Sequence, residues 1–254
     1  MDGSGRGMAA LSARRWQPNA VTFPATRVSL LAGIASDRAS ERHRALERIV
    51  QAYWKPVYKY VRLKWKRSHE DAKDLTQGFF AAAAEKEYLA AFDSQKGRFR
   101  TFMRVCVDRY VSKAASAEKA VKRGGALLAL DFESAEHELV GAGGIEDVER
   151  WFEREWARSI FDGAILELRS RAEAPLAKTR IAVFERYDLV DPAQRPSYAE
   201  LAQQLGIKPT DVTNHLAAVR RELRNLVLET LRQLTASDDE FRSEARALLG
   251  VDAT

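Results

Sequence analysis

The chain holds a single cysteine, Cys106. One thiol forbids a disulfide within the chain and leaves no cysteine set to ligate zinc. Set in an apolar run, it reads as a buried structural thiol. Histidine is also scarce: His43, His69, His137 and His215 lie in four different segments, none with a neighbour at metal-ligand spacing. There is no glycine-rich phosphate loop, and no carboxylate pair stands apart as a buried acid–base couple. Nothing among these residues calls for an enzyme, a metal or another cofactor. Long apolar runs are missing too, since no stretch approaches the length of about 18 residues that a membrane span needs. Residues 1–20 carry Arg6, Arg14 and Arg15 without a continuous apolar segment, so no secretory signal is expected and the cytoplasm is the expected location.

What is present is enough apolar side chain to bury a core, 46% of 254 residues, and a modest excess of cations, 41 against 36 anions. A net charge of +5 suits a polyanion partner, but the distribution of charge decides more than its sum. Residues 1–24 are rich in Gly, Ser, Ala and Arg without periodicity and are expected to be disordered. Residues 25–36 read as a short helix with Val28, Leu30, Leu31 and Ile34 on its apolar side. Leu46, Ile49, Val50 and Tyr53 repeat at helical spacing over residues 40–53. Pro56 either interrupts that helix or starts the next, where Val57, Val61 and Trp65 continue the stripe.

The stretch from residue 68 to 123 organises the rest. Ser68 followed by Asp71 has capping-box spacing and opens a helix. Leu75, Phe79, Ala82 and Ala83 face inward, leaving Asp71, Asp74 and Gln77 on a face that is either solvated or held by a partner. Residues 93–97 form a turn by composition, and Arg98, Phe99, Arg100, Thr101 and Phe102 follow at once. Arginines neutralise phosphates and aromatic rings stack on unpaired bases. The i, i+3 spacing of Phe99 and Phe102 fits a core helix equally well. The next helix buries Val105, Val107 and Val111 and carries Lys113, Lys119, Lys122 and Arg123 outward, before Gly124 and Gly125 close it. Residues 126–149 then hold Asp131, Glu133, Glu136, Glu138, Glu146, Asp147 and Glu149 with no Lys or Arg, and Gly141, Gly143 and Gly144 add flexibility. This is an acidic linker that can fold back on the basic parts of the chain or thread a partner's basic channel.

The second half opens on an apolar helix with Trp151, Phe152, Trp156, Ile160, Phe161, Ile165 and Leu168, followed by one with Ile181, Val183, Phe184 and Tyr187. Ser197 and Glu200 repeat the capping-box spacing, Gly206 supplies a left-handed cap, and Pro209 fits a first helical position. Val212, Leu216, Val219, Leu223 and Leu226 face a core. Thr213, Asn214, Ala217, Arg220, Arg221 and Arg224 ring the outer surface. Helix, glycine turn and second helix read as a helix-turn-helix, with a plain helical hairpin as the alternative. A last helix carries Phe241, Ala245, Leu248 and Leu249. The expected fold is all-α: two helical domains joined by a flexible acidic linker, the second containing the helix-turn-helix.

EDAKDLTQGFF, FDSQKGRFRTFM and KRGG, in that order, resemble domain two of bacterial RNA polymerase sigma factors of the extracytoplasmic-function (ECF) group. SYAELAQQLGIKPTDVTNHLAAVRREL resembles their domain four, and FPATRVSLL with YWKPVYKYVR resembles a subgroup with an N-terminal extension. The resemblance spans residues 23–249. It divides the chain into an extension (1–24), domain two (25–125), the linker (126–149) and domain four (150–254).

The resemblance implies a subunit, not an enzyme, whose partners are promoter DNA and core RNA polymerase through its beta-prime clamp helices and beta flap. Polymerase contacts then fall on Asp71, Asp74, Leu75 and Gln77. Recognition and melting of the −10 element fall on Lys96, Arg98, Phe99, Arg100, Phe102, Arg109 and Lys113. Reading of the −35 element falls on Thr213, Asn214, Arg220, Arg221 and Arg224. Control by an anti-sigma factor or a Ser/Thr kinase is also implied, with Thr76, read as a helix-surface residue, the candidate phosphorylation site. Lys73, Asp108, Ala217 and Ala218 depart from the family pattern. Two other readings stand beside this one: a helix-turn-helix regulator acting without polymerase, and a decoy that holds polymerase.

Overall fold

The computed structural model describes residues 33, 34, 36, 38–86, 88–93, 95–116, 130–139 and 147–250. Among these, all regular structure is helical and no strand occurs. The expected disordered extension, residues 25–32 of the first expected helix, Lys119, Lys122, Arg123, the glycines at 124, 125, 141, 143 and 144, and Glu146 lie outside the described residues. The α-helices are α1 (Ala39–Lys64), α2 (His69–Lys86), α3 (Phe99–Ser116), α4 (Phe132–His137), α5 (Val148–Ser170), α6 (Pro175–Asp188), α7 (Tyr198–Leu205), α8 (Pro209–Leu234) and α9 (Asp238–Leu249). No described helix is long and apolar enough to cross a membrane.

The chain forms two compact units. Of the described residues, one comprises those within Pro24–Ile160 and Leu231–Glu244; the other is built on Phe161–Thr230 and residues 245–250. The described units therefore interleave in sequence, where the reading above divided them at a linker.

In the first unit α1 runs unbroken through Pro56, which is itself buried, so Pro56 neither interrupts the helix nor starts a new one. A proline inside a helix costs about 3 kcal/mol. Here Tyr53, Val57, Tyr60 and Val61 on the same helix are sealed in the core, and that burial offsets the cost. Phe79 and Phe80 of α2, Met103, Val107 and Val111 of α3, Phe152 and Trp156 of α5, and Leu231, Leu234 and Phe241 complete this core. Rings meet edge to face across it, Tyr53 with Phe99 at 5.8 Å and Tyr60 with Phe152 at 5.4 Å.

The acidic segment is not a bare tether over its described part. Asp131 accepts the Ser134 N–H at 3.0 Å and starts α4. Phe132 is buried against Trp54 and Tyr58, with ring centroids 5.3 and 5.2 Å away. Lys55 and Lys59 donate to Glu138 at 2.7 and 2.6 Å, and Arg62 donates to both oxygens of Glu136. Lys59 also donates to Glu155 of α5 at 2.6 Å. Over residues 130–139 the segment lies against the cations of α1.

In the second unit Val183, Leu201, Ala202, Val212 and Leu216 form a core, covered by Tyr187, Tyr198, Leu205 and Ile207.

Candidate partner and nucleic-acid interfaces

The acidic face is built by the start of α2. Ser68 Oγ accepts the Asp71 N–H at 3.1 Å, the capping bond expected from the sequence. Asp71 and Asp74 are exposed, while Leu75 and Gln77 are half-buried. Lys73 leans toward Glu70 at 3.7 Å. Thr76 is 0% exposed, and its hydroxyl donates to the Ala72 carbonyl at 2.7 Å. The reading of Thr76 as a surface residue is corrected: Ala72, Thr76, Phe79 and Ala83 recur at helical spacing along the buried stripe of α2. A kinase has no access to that hydroxyl while α2 is packed. Beside it Gly78 lets α2 approach α3, because a Cβ there would collide with the Tyr110 hydroxyl.

The basic turn is held by Asp93, which accepts from the Gln95 N–H at 3.0 Å and pairs with Lys96 at 3.2 Å. These bonds hold its carboxyl below the ordinary range. Gly97 lies at φ 147°, a conformation glycine takes without strain. Lys96, Arg98, Arg109 and Lys113 are exposed.

Phe99 and Arg100 behave otherwise. Phe99 is 0% exposed, with Phe92 5.2 Å and Phe102 6.2 Å away in addition to Tyr53. The expectation that Phe99 stacks on a base is corrected; it is a core residue, and Phe102, half-buried against Phe92 at 5.3 Å, keeps the only partly open ring of the expected pair. Arg100 is 8% exposed, stacks 5.1 Å from the Trp156 ring and donates to Glu244 Oε2 at 2.7 Å. Its guanidinium is engaged inside the unit, so in this arrangement it is not open to a phosphate as the sequence reading expects.

Asp108, one of the residues that depart from the family pattern, is committed as well. It accepts from Tyr60 at 3.0 Å, Lys64 at 2.8 Å and Trp65 Nε1 at 3.1 Å, tying the end of α1 to α3.

The sequence gives no sign of a further set of contacts on this turn. Glu240 Oε1 accepts the Phe99 N–H at 2.8 Å, and Ser243 Oγ accepts from Arg98 at 2.8 Å. Glu244 lies between Arg98, at 3.5 Å, and Arg100. The partners are separated by more than 140 residues, beyond any local pattern.

In the second unit the turn chemistry follows the sequence closely. Ser197 and Glu200 form a reciprocal capping box, Gly206 caps α7 at φ 64°, and the Ile207 N–H returns to the Ala202 carbonyl at 3.0 Å. Asp211 accepts the Lys208 N–H at 3.2 Å, and Pro209 opens α8. Thr213, Asn214, Ala217 and Arg221 are exposed along α8. Arg220 is engaged elsewhere: it donates to both oxygens of Asp188, at 2.8 and 2.7 Å, and the Asp188 side chain is 3% exposed. That bond raises the Arg220 pKa further and pins α8 to α6. Arg224 is half-buried, and burial lowers its pKa. Arg220 is exposed but already paired with Asp188, a structural engagement the sequence does not signal; Arg221 is exposed as well.

Compared with protein-family models, with curated proteins and with solved structures, the chain matches none.

The first unit thus carries exposed anions at the start of α2 and exposed cations on the turn before α3 and along α3. The second carries a short polar row on a firmly capped helix. The chemistry available to these surfaces is recognition through charge and hydrogen bonds.

Proposed function

We propose that the chain is a sigma factor of the extracytoplasmic-function type: a dissociable subunit that binds core RNA polymerase, directs it to promoter DNA and has no chemistry of its own. The observation that carries the reading is the pairing, within one unit, of exposed Asp71 and Asp74 on α2 with exposed Lys96, Arg98, Arg109 and Lys113. The anions suit a basic protein partner and the cations suit phosphate. In this reading the first unit is the polymerase-binding and −10 domain, and α7, Gly206 and α8 form the helix-turn-helix of a −35 domain. Thr213, Asn214 and Arg221 then meet the DNA, and Arg220 positions α8 for them. Strand opening relies on Lys96, Arg98, Phe102, Arg109 and Lys113.

The burial of Phe99 and Arg100 favours a second reading, a duplex-binding regulator that acts without polymerase, because two expected strand-opening residues are committed to the core.

Run-off transcription with purified core polymerase and a genomic fragment library separates the two. Start sites that depend on this protein support the sigma reading. Binding to duplex fragments with no polymerase binding and no dependent start site overturns it.

A further inference from the structure

We propose that the first two turns of α9 act as an internal stopper, occupying Arg98 and the amino end of α3 so that a polyanion cannot engage them fully until residues 238–244 lift away. The inference rests on the proposed reading that this surface meets nucleic acid.

Three acceptors of α9 meet three donors. The Glu240 carboxylate takes the Phe99 N–H at 2.8 Å, at a helix amino end where anions are favoured. Ser243 takes Arg98 at 2.8 Å, and Glu244 takes Arg100 at 2.7 Å. Glu153 of α5 adds a fourth oxygen 3.8 Å from Arg100 Nε. Two arginines and a helix-terminal amide converging on oxygens form the arrangement that would hold a phosphodiester. Here two carboxylates and a serine hydroxyl of the same chain fill it.

The fit is imperfect, as a releasable contact requires. Glu244 Oε1 and Arg100 Nε are both buried and neither makes a hydrogen bond. Burial disfavours the charged form of Glu244 and raises its pKa. A buried ion pair with unfilled hydrogen-bonding capacity adds little net stability, because desolvation cancels much of the attraction. The rest of the hold is Phe241, buried with the Arg232 guanidinium 4.0 Å from its ring centre. A polyanion that satisfies Arg98 and Arg100 better than Glu244 does would compete directly.

The test uses the full chain and a labelled poly-thymidine strand, read by fluorescence anisotropy. Glu240→Ala with Ser243→Ala removes two of the three acceptors and leaves the buried Glu244–Arg100 pair in place. The double variant should bind about tenfold more tightly than the parent, the ratio for a closed form that outnumbers the open one by about ten to one. Equal or weaker binding by a folded variant overturns the proposal, as does absence of binding by every form.

Hydrogen exchange on the parent chain gives a readout that does not depend on the variant's folding. Added strand should reduce protection across residues 238–244, and unchanged or increased protection overturns the proposal. Core-polymerase binding measured in parallel separates the two ideas. A stopper effect without polymerase binding sinks only the sigma reading. Polymerase-dependent transcription without a stopper effect sinks only the stopper.

Discussion

Replacing Glu136 by glutamine isolates the charge that folds the acidic segment back onto α1. In the folded chain Glu136 accepts two bonds from Arg62 and one from the Tyr58 hydroxyl, and His69 Nδ1 lies 3.8 Å away. The Arg62 guanidinium, then the Tyr58 hydroxyl, hold the carboxyl down at about 2 against a desolvation that acts the other way. The gap between about 2 and the ordinary value corresponds to about 3 kcal/mol at neutral pH. Glu136 sits near the surface, its side chain 28% exposed, so solvent screening leaves about 1–2 kcal/mol. Glutamine keeps an acceptor but loses the charge. At pH 7 the variant should therefore melt about 3–6 °C below the parent.

The sign of the pH dependence follows from the depressed pKa. The contribution is fully present above the unfolded-state value, near 4.5, and is lost as pH falls through the folded-state value, near 2. Melting curves of both proteins between pH 7 and pH 3, followed by circular dichroism, should show the difference more than half gone at the acid end. No difference at pH 7, or one of the same size at pH 3, refutes the assignment of this charge as the holding interaction.

Arg220→Ala should destabilise the second unit by about 2–3 kcal/mol in urea without DNA, because it strands the buried Asp188; unchanged stability with weakened DNA binding would return Arg220 to a phosphate role. Phe99→Ala should cost about 3–5 kcal/mol in denaturant unfolding, as a core truncation does, and a near-neutral result would mean the ring is not sealed in. Gly206→Ala should cost about 1 kcal/mol from the left-handed backbone alone, since no atom lies within contact of an added Cβ. Asp74→Arg, at an exposed position, should leave the melting temperature unchanged and abolish co-purification with core polymerase.

Local chemistry was legible in the sequence and tertiary commitment was not. The Ser197–Glu200 box, the Gly206 cap, Pro209 at the head of α8 and the stripe of Val212, Leu216 and Val219 are each encoded within a few residues, and each stands where the spacing put it. Asp74 and Gln77 flank Thr76 and give it the look of a surface position, although its spacing from Ala72 and Phe79 is that of the buried stripe. A threonine can occupy such a place when its hydroxyl returns to its own helix. The interleaved basic and aromatic residues after the turn fitted both a nucleic-acid surface and a core, and only the packing of Tyr53 against Phe99 decides between them. The pairs of Arg100 with Glu244 and Arg220 with Asp188 join residues far apart in sequence, where no periodicity reports a partner. In the acidic segment the charge pattern hid one local sign: an aspartate followed by Phe132 has the form of a capped helix with something to bury.

The interleaving of the two units has a consequence during synthesis. When Ile160 leaves the ribosome, the first unit still lacks Leu231, Leu234 and Phe241 from its core, and Glu240 and Glu244 from its basic turn. At ordinary elongation rates, waiting for residue 244 takes roughly 4–17 s, during which the early helices present uncovered apolar surface and unmatched arginines. The nascent chain is thus open to chaperones and to stray polyanions over that interval, and its first unit closes only once α9 has been made.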